Sequence, residues 1–162
     1  MITTPKVVDD TIRELLRFLK LKQSNSIRLK LSKIKGFKPE PNNCHINTCI
    51  QKKLEGGSIE YGWVIWKDDV TGSIEAEFHS VWKDKKGDLL DITPRVDGEK
   101  KILFVPDFLH KAYFTEEKGK LITNTYNNVS IVYGHRLNEV TEVKRILTSK
   151  LVYEFGLLSG SS

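Results

Sequence analysis

The sequence predicts an α+β fold, in which helices pack on an antiparallel β-sheet within one domain that spans residues 1–162. The chain is long enough to bury its own hydrophobic core without cross-links. Apolar residues recur at helical spacing in two early segments, whereas the middle of the chain alternates between apolar and polar residues. Short polar turns separate the alternating runs, which is typical of antiparallel neighbours rather than of parallel strands joined by helices.

Composition and cysteine spacing indicate a soluble, cytoplasmic protein. Hydrophobic residues make up 39% of the chain and charged residues 29%, and no apolar run approaches the ~18 residues of a membrane span. No signal segment with a basic start and an apolar centre follows Met1. Cys44 and Cys49 fall on one predicted helix with side chains about 140° apart, which disfavours a disulfide and favours a reducing compartment.

Residues 1–40 are predicted to form a basic, helical N-terminal segment. Apolar residues recur at helical spacing over residues 8–21, and Asp9 and Asp10 fall in the first turn, where the helix dipole favours acids. The basic residues behind much of the net charge of +5 are Arg13, Arg17, Lys20, Lys22, Arg28, Lys30, Lys33, Lys35 and Lys38. They form either a solvated face or a docking surface for an acidic protein, a nucleic acid or an anionic membrane surface.

Two elements are expected between this helix and the strands. Residues 27–34 fit either a short strand or a second helix, because both spacings match their apolar residues. Two prolines in residues 36–41 then interrupt regular structure. A helix is expected over residues 44–55, since Gly56 and Gly57 can end it.

Strand signals dominate residues 42–106, which we predict to be the catalytic core. The predicted strands, rich in β-branched and aromatic residues, are 59–66, 73–82, 89–93 and 101–105.

Residues 107–162 are expected to form a C-terminal extension of helices and strands. Its predicted elements are a short helix at 108–114, a polar segment, a strand at 129–133, a final helix at 138–155 and a frayed end at 159–162.

Cys44 is the candidate nucleophile of this core. A cysteine attacks an acyl carbon as the thiolate, and the unpaired N–H groups in the first turn of a helix stabilise that negative charge. Cys44 opens the predicted helix and follows Asn42 and Asn43, which are good N-cap residues. A side-chain amide of either asparagine is a candidate oxyanion donor beside the backbone N–H of Cys44. Cys49 is expected on the buried, apolar side of the same helix.

His79 and Asp91 are the candidate base and orienting acid. Alternation in the strand 73–82 places His79 on a polar face rather than on the core face. The turn that ends at Gly87 fits two hairpin registers, and both put Asp91 on the same face as His79, either directly opposite or diagonal. Asp91 could therefore orient one nitrogen of His79 and leave the other nitrogen for Cys44.

These motifs resemble the transglutaminase-like core of the papain-like cysteine hydrolases, over residues 42–94. In that family a helix-borne Cys precedes a strand His that is followed by a Trp, and a strand Asp is followed by a Thr. The matching residues here are Cys44, the run His79-Ser80-Val81-Trp82 and the run Gly87-Asp88-Leu89-Leu90-Asp91-Ile92-Thr93-Pro94. The resemblance implies Cys44 as nucleophile, His79 as general base and acid, and Asp91 as orienting residue. The activity expected from it is that of a cysteine-dependent amidase, peptidase or acyltransferase that acts on amides or thioesters and needs no cofactor.

Two other functions stay open at the level of sequence. A non-catalytic binding module could dock on an acidic partner or nucleic acid through the basic N-terminal segment. A zinc-stabilised module could use Cys44, His45, Cys49 and His79, but adjacent ligands strain a tetrahedral site, so no metal is expected. His45 could instead tune Cys44 or only face solvent.

Overall fold

The computed structural model describes residues 2–159 and shows a mixed α/β fold made mainly of antiparallel strands. In this part of the chain eight strands form a main sheet and three form a second sheet. The strands are β1 (Ile2–Thr3), β2 (Ile27–Lys30), β3 (Ser58–Asp68), β4 (Ile74–Lys83), β5 (Leu89–Leu90), β6 (Lys101–Pro106), β7 (Tyr113–Glu117), β8 (Lys120–Tyr126), β9 (Val129–Val132), β10 (His135–Arg136) and β11 (Glu142–Ile146). The helices are α1 (Asp10–Phe18), α2 (Cys44–Glu55) and α3 (Leu151–Glu154). The prediction of helices combined with antiparallel sheet is confirmed.

The main sheet follows the order β10, β9, β4, β3, β6 and β2, and each of these strand pairs is antiparallel. Its centre is the hairpin of β3 and β4, in which Gly62 lies opposite His79 and Trp63 lies opposite Phe78. β1 pairs with the end of β3, and β5 pairs with the end of β4. The pairing of β4 with β5 brings the segment that follows β5 close to His79.

Apolar side chains cover both faces of the main sheet. On one face α1 packs into a core that includes Ile12, Leu15, Leu16, Trp63 and Phe78. The cluster on the other face consists of Val64, Trp66, Val81, Ile102 and Phe104. His79 is 2% exposed and contacts Phe104 edge to face on that second side. The expectation of a polar face there is wrong, because apolar residues of β3 and β6 surround the polar positions of β4.

The N-terminal segment contains the predicted amphipathic helix in a shorter form. Asp9 caps α1 by accepting a hydrogen bond from the backbone N–H of Ile12 at 2.9 Å. The helix ends at Phe18, earlier than expected, and Lys20 then takes a left-handed conformation with a φ of 58°. The undecided segment 27–34 contains strand β2, which pairs with β6.

The predicted helix at residues 108–114 is wrong. The carboxylate of Asp107 accepts hydrogen bonds from the backbone N–H groups of Leu109 and His110, which forms a turn. β7 then begins at Tyr113 and pairs with β8, so the polar segment that follows is a hairpin.

The predicted final helix at residues 138–155 is wrong over most of its length. β11 pairs with β8 from Glu142 to Ile146, and within residues 138–155 only Leu151–Glu154 is helical. Backbone hydrogen bonds to the edge of β8 outweigh the helical spacing of the apolar residues, as tertiary pairing often does. The resulting second sheet of β7, β8 and β11 lies beside the start of α2.

Two further observations concern the end of the chain and the length of its helices. The predicted frayed end lies outside the described residues except for Ser159. Among residues 2–159, no helix is both long enough and apolar enough to cross a membrane.

Candidate active site

A cleft opens where one edge of β4 has no strand beside it. β9 pairs with this edge as far as Ala76 and β5 pairs with it from Trp82, so residues 77–81 lie between the two partners in the described part of the chain. The start of α2 packs against this gap. The cleft has a volume of about 310 Å³, and its walls include Cys44 and His79.

Cys44 is the first residue of α2, as predicted, and is half-buried. The first backbone hydrogen bond of the helix runs from the N–H of Asn47 to the carbonyl of Asn43. The N–H of Cys44 therefore belongs to the first turn, whose donors have no partner within the helix. This position gives the sulfur a positive electrostatic environment from the helix dipole.

His79 and Asp91 form a buried hydrogen bond of 2.9 Å between Nε2 and Oδ1. β4 and β5 pair with Trp82 opposite Leu90, which is the diagonal one of the two predicted registers. Strand pairing ends at Leu90, and the carbonyl of Asp91 then accepts a bond from the backbone N–H of Ser32 at 2.7 Å. Asp91 thus lies just outside the paired part of the hairpin, but its carboxylate still hydrogen-bonds to His79.

The Cys44 thiol and the His79 imidazole shift the pKa values of each other in opposite directions. Burial raises the pKa of Cys44, but the neighbouring imidazoles of His45 and His79 lower it by a larger amount, so the net pKa lies well below its usual value. Burial lowers the pKa of His79, but the Cys44 thiolate and Asp91 raise it to about 10. Because Nε2 of His79 is hydrogen-bonded to Asp91, Nδ1 is the nitrogen that is left to interact with the Cys44 sulfur. These shifts favour a thiolate–imidazolium pair.

Arg95 is a partner of Asp91 that the sequence analysis missed. Its Nη1 donates to Oδ2 of Asp91 at 2.8 Å, and its guanidinium lies over the Trp66 ring at 5.5 Å. Burial raises the pKa of Asp91, but His79 and Arg95 lower it to below the usual value. A basic residue four positions after a candidate buried acid was the signal in the sequence for this contact.

Asn47 was also missed by the sequence analysis. It connects the loop before Cys44 to the segment that contains Asp91 and Thr93. Its Nδ2 donates to the Glu40 carbonyl at 2.8 Å and to the Thr93 hydroxyl at 3.1 Å, and its Oδ1 accepts from the Glu40 N–H at 3.1 Å. Asn47 is fully buried on α2. An asparagine on the inner side of a helix is a polar exception, which was the signal for such a role.

His45 does not simply face solvent, which was one of its two expected roles. Its ring is partly buried, lies 5.7 Å from the Phe78 ring, and contacts hydroxyl groups of Ser80 and Thr125. Its charge contributes to the lowered pKa of Cys44.

The two candidate oxyanion donors both line the cleft. Asn43 stands at the N-cap position of α2, but its side chain does not cap the helix. Its Nδ2 donates to Oε2 of Glu40 at 2.9 Å, which engages one of the two N–H groups of the amide. Asn42 is exposed and takes a left-handed conformation with a φ of 61°, which asparagine tolerates.

Glu77 is a further wall residue that the sequence analysis did not select. It is partly buried and lies two residues before His79 on β4. Burial and the Cys44 thiolate raise its pKa, while His79 and Arg95 oppose the shift. Within residues 2–159 its carboxylate makes no hydrogen bond or ion pair, so it faces the cleft with its oxygens unengaged.

Cys49 is not on the fully buried side of α2, which corrects the expectation for it. It is half-buried and borders a second cavity of about 460 Å³, together with Lys53 and Phe114. Burial raises the pKa of Cys49. The inner side of α2 is formed by other residues, namely Ile46, Asn47, Thr48, Ile50 and Gln51.

A zinc site built from Cys44, His45, Cys49 and His79 finds no support in the geometry. Among residues 2–159, no group of three or more His, Cys, Asp or Glu side chains is arranged to hold a metal ion. Cys49 borders a different cavity from the other three residues.

Comparisons of the chain with protein-family models, with curated proteins and with solved structures find no match. The function of the cleft therefore has to be inferred from its own geometry and chemistry.

Proposed function

We propose that the protein is a cysteine-dependent amidase, peptidase or acyltransferase that works through Cys44, His79 and Asp91. The observation that carries the proposal is the cleft in which a helix-start thiol lies beside an imidazole whose far nitrogen is bound to a buried carboxylate. This is the arrangement of nucleophile, base and orienting group that thiol acyl transfer requires.

The proposed reaction has two halves. In the first half the Cys44 thiolate attacks the carbonyl carbon of an amide or thioester, a C–S bond forms, and the carbonyl oxygen becomes an oxyanion. Nδ1–H of His79 then protonates the departing amine or thiol as its bond to carbon breaks, which leaves an acyl-enzyme. In the second half neutral His79 takes a proton from water or an amine, which attacks the acyl carbon and releases the thiolate.

Asp91 and the asparagines have supporting roles in this scheme. Asp91 accepts the Nε2–H of His79, which keeps Nδ1 directed to the sulfur and stabilises the imidazolium. The backbone N–H of Cys44 and an amide of Asn42 or Asn43 are the proposed oxyanion donors. The side chains alone supply the nucleophile and the proton carrier, so the reaction as written needs no cofactor.

The papain-like and transglutaminase-like core is part of the same proposal. Its support is the order of the motifs, with Cys44 at a helix start, His79 on a long strand and Asp91 after the next strand. The two free thiols fit a reducing compartment, and we infer a cytoplasmic location. An amide or thioester of a protein or peptide is the proposed substrate.

A second candidate is a binding module that docks on an acidic partner or nucleic acid. The observation in its favour is that eight of the nine basic residues identified in the N-terminal segment are exposed, all except Arg13, which is partly exposed. Such a surface would attract anionic partners whether or not Cys44 is active.

An acyl-trapping mass spectrum tests the proposal. The intact protein is incubated with a library of peptides, amides and thioesters, and its mass is compared with that of Cys44→Ala and Cys49→Ala. We expect an acyl adduct on the parent and on Cys49→Ala, and none on Cys44→Ala. An adduct that persists in Cys44→Ala, or a thiol at position 44 that no acyl donor or mildly acidic alkylation labels, contradicts an acyl-transfer role.

A further inference from the structure

His45 follows the candidate nucleophile directly and connects α2 to both sheets. Its Nδ1 lies 3.0 Å from the Ser80 hydroxyl on β4 of the main sheet. Its Nε2 lies 3.0 Å from the Thr125 hydroxyl on β8 of the second sheet. The ring therefore occupies the junction of three elements beside the Cys44 thiol.

The hydrogen bonds around Ser80 determine which nitrogen of His45 carries a proton. The Thr48 hydroxyl lies 3.0 Å from the carbonyl oxygen of Cys44, and because a carbonyl only accepts, Thr48 donates its single hydrogen there. Thr48 must then accept from Ser80, whose hydroxyl is 3.0 Å away. Ser80 has no hydrogen left for His45, so it accepts from Nδ1–H of the ring.

The other nitrogen of His45 has a partner that suits both charge states. The Thr125 hydroxyl makes no other side-chain hydrogen bond within residues 2–159. It can donate to Nε2 of a neutral ring, or accept from Nε2–H of an imidazolium after the hydroxyl rotates. His45 can therefore become a cation without loss of a hydrogen bond and without movement of the helix.

We propose that His45 is a positioning residue for Cys44, a second imidazole that holds positive charge beside the thiolate while it anchors the start of α2. This inference rests on the proposed function, because only a thiolate nucleophile needs such a neighbour. His79 must give up its proton to the leaving group, whereas both nitrogens of His45 bind protein hydroxyls. The proposed reaction therefore consumes the proton of His79 but takes no proton from His45.

Other ionisable groups line the cleft around the sulfur or lie beyond His79, and any test has to leave them unchanged. They are His79 and Glu77 on β4, Tyr61 on β3 and Arg145 on β11, with Asp91 and Arg95 beyond His79. A comparison among variants at position 45 leaves all of them in place.

The test measures the rate of Cys44 alkylation by iodoacetamide against pH, in a Cys49→Ala background that removes the second thiol. His45→Asn keeps a donor near Ser80 but removes the charge. We expect its rate curve to shift by about one to three pH units toward higher pH, the usual effect of one nearby charge. His135→Asn is the matched control, since His135 is exposed on β10, and its curve should not shift.

A second pair of variants separates charge from structure if His45→Asn folds poorly. Thr125→Val removes the acceptor of the Nε2–H group and should shift the curve in the same direction, whereas Thr125→Ser keeps the hydroxyl and should not. Superimposable curves for the parent, His45→Asn and Thr125→Val would overturn the proposal. Alkylation needs no substrate, so this result is independent of the acyl-trapping experiment, whose own failure would be a parent protein that forms no adduct.

Discussion

Nε2 of His79 lies 2.9 Å from Oδ1 of Asp91, with 2% and 0% of the two side chains exposed. Arg95 contacts the second oxygen of the same carboxylate at 2.8 Å. Buried charges are costly unless they are paired and hydrogen-bonded, and replacing such a group with apolar residues often does not reduce stability. We therefore attribute the buried charge at this point in the core to the proposed proton chemistry of His79 rather than to stability.

The first prediction concerns Asp91→Asn. An amide can donate to Nε2, which favours the tautomer with the proton on the wrong nitrogen, so we expect acyl-adduct formation to fall by about two to four orders of magnitude. The stability should fall as well, since Arg95 loses its ion pair. The measurement is adduct formation by mass spectrometry, with thermal unfolding to show that the variant is folded; parent-like adduct formation would remove Asp91 from the site.

The second prediction concerns acid unfolding and Arg95. The pKa of Asp91 is lowered in the folded state, so its stabilising contribution is present above the ordinary value of 3.8 and is lost as the pH falls through the lowered value. Arg95→Gln removes one cause of the lowering and should destabilise the protein at neutral pH by about 3 kcal/mol, as for other broken buried pairs. We expect its acid-unfolding midpoint, followed by circular dichroism, at a higher pH than that of the parent.

Lys144→Gln is the control for this experiment. Lys144 lies 3.6 Å from Glu117 in an exposed pair, so its removal should leave the acid-unfolding midpoint unchanged. Equal midpoints for Arg95→Gln and the parent would show that the Arg95 contact contributes nothing to the ionisation of Asp91.

The third prediction concerns the pH range of the thiolate–imidazolium pair. The pair exists above the lowered pKa of Cys44 and below the raised pKa of His79, so acyl transfer should be active across neutral pH and decline as the pH rises through about 10. Because the thiolate is a main cause of the raised value, Cys44→Ala should lower the pKa of His79. Histidine NMR titration measures this shift, and an unchanged His79 pKa in Cys44→Ala would disprove the coupling.

The fourth prediction separates the two cysteines. Cys49 is half-buried at the rim of a cavity, so the hydroxyl in Cys49→Ser can reach water and should cost less than about 1 kcal/mol in urea unfolding. Burial raises the pKa of Cys49, so its alkylation at pH 6 should be much slower than that of Cys44. If Cys49 is the residue that labels at pH 6, the assignment of the nucleophile is wrong.

The fifth prediction concerns the unengaged carboxylate of Glu77. Once ionised, it should attract cationic reagents, so Glu77→Gln should lower the ratio of cationic to anionic methanethiosulfonate rates at Cys44 by at least about threefold. Its pKa is raised, so the effect should grow as the pH rises above the ordinary value of 4.5. Glu75→Gln is the matched control, because Glu75 accepts from Asn128 at 2.8 Å and does not line the cleft. If Glu77→Gln and Glu75→Gln gave the same ratio of cationic to anionic rates, Glu77 would have no electrostatic effect on molecules that enter the cleft.

Elements with strong local signals could be predicted from the sequence. α2 occupies residues 44–55 as expected, because its start follows a break in regular structure and its end coincides with Gly56. The long hairpin of β3 and β4 agrees with the alternation of apolar residues. The helix expected at 138–155 failed, since nothing local reveals that β8 offers a free edge to this segment.

The candidate site could be predicted only in its outline. The sequence indicated three candidate residues, Cys44, His79 and Asp91, from their residue types and from the predicted helix or strand that carries each one. Hairpin geometry limited the last two to neighbouring positions. The sequence contains signals for Arg95 and Asn47, but not for the partners of their side chains, since each contact depends on how a loop folds back after a strand or before a helix. The burial of His79 was misjudged, because the residues that cover it come from β3 and β6.

The sequence by itself determined the elements whose periodicity and end signals are local: α1, α2, the central hairpin and the order in which thiol, imidazole and carboxylate follow one another. Only the tertiary structure decided the diagonal pairing of His79 with Asp91, the gap in the edge of β4 and the placement of β8 against His45. The physical reason is range. Backbone propensity and side-chain periodicity act over a few residues, whereas strand pairing and the ionisation of buried groups depend on residues that are distant in the chain.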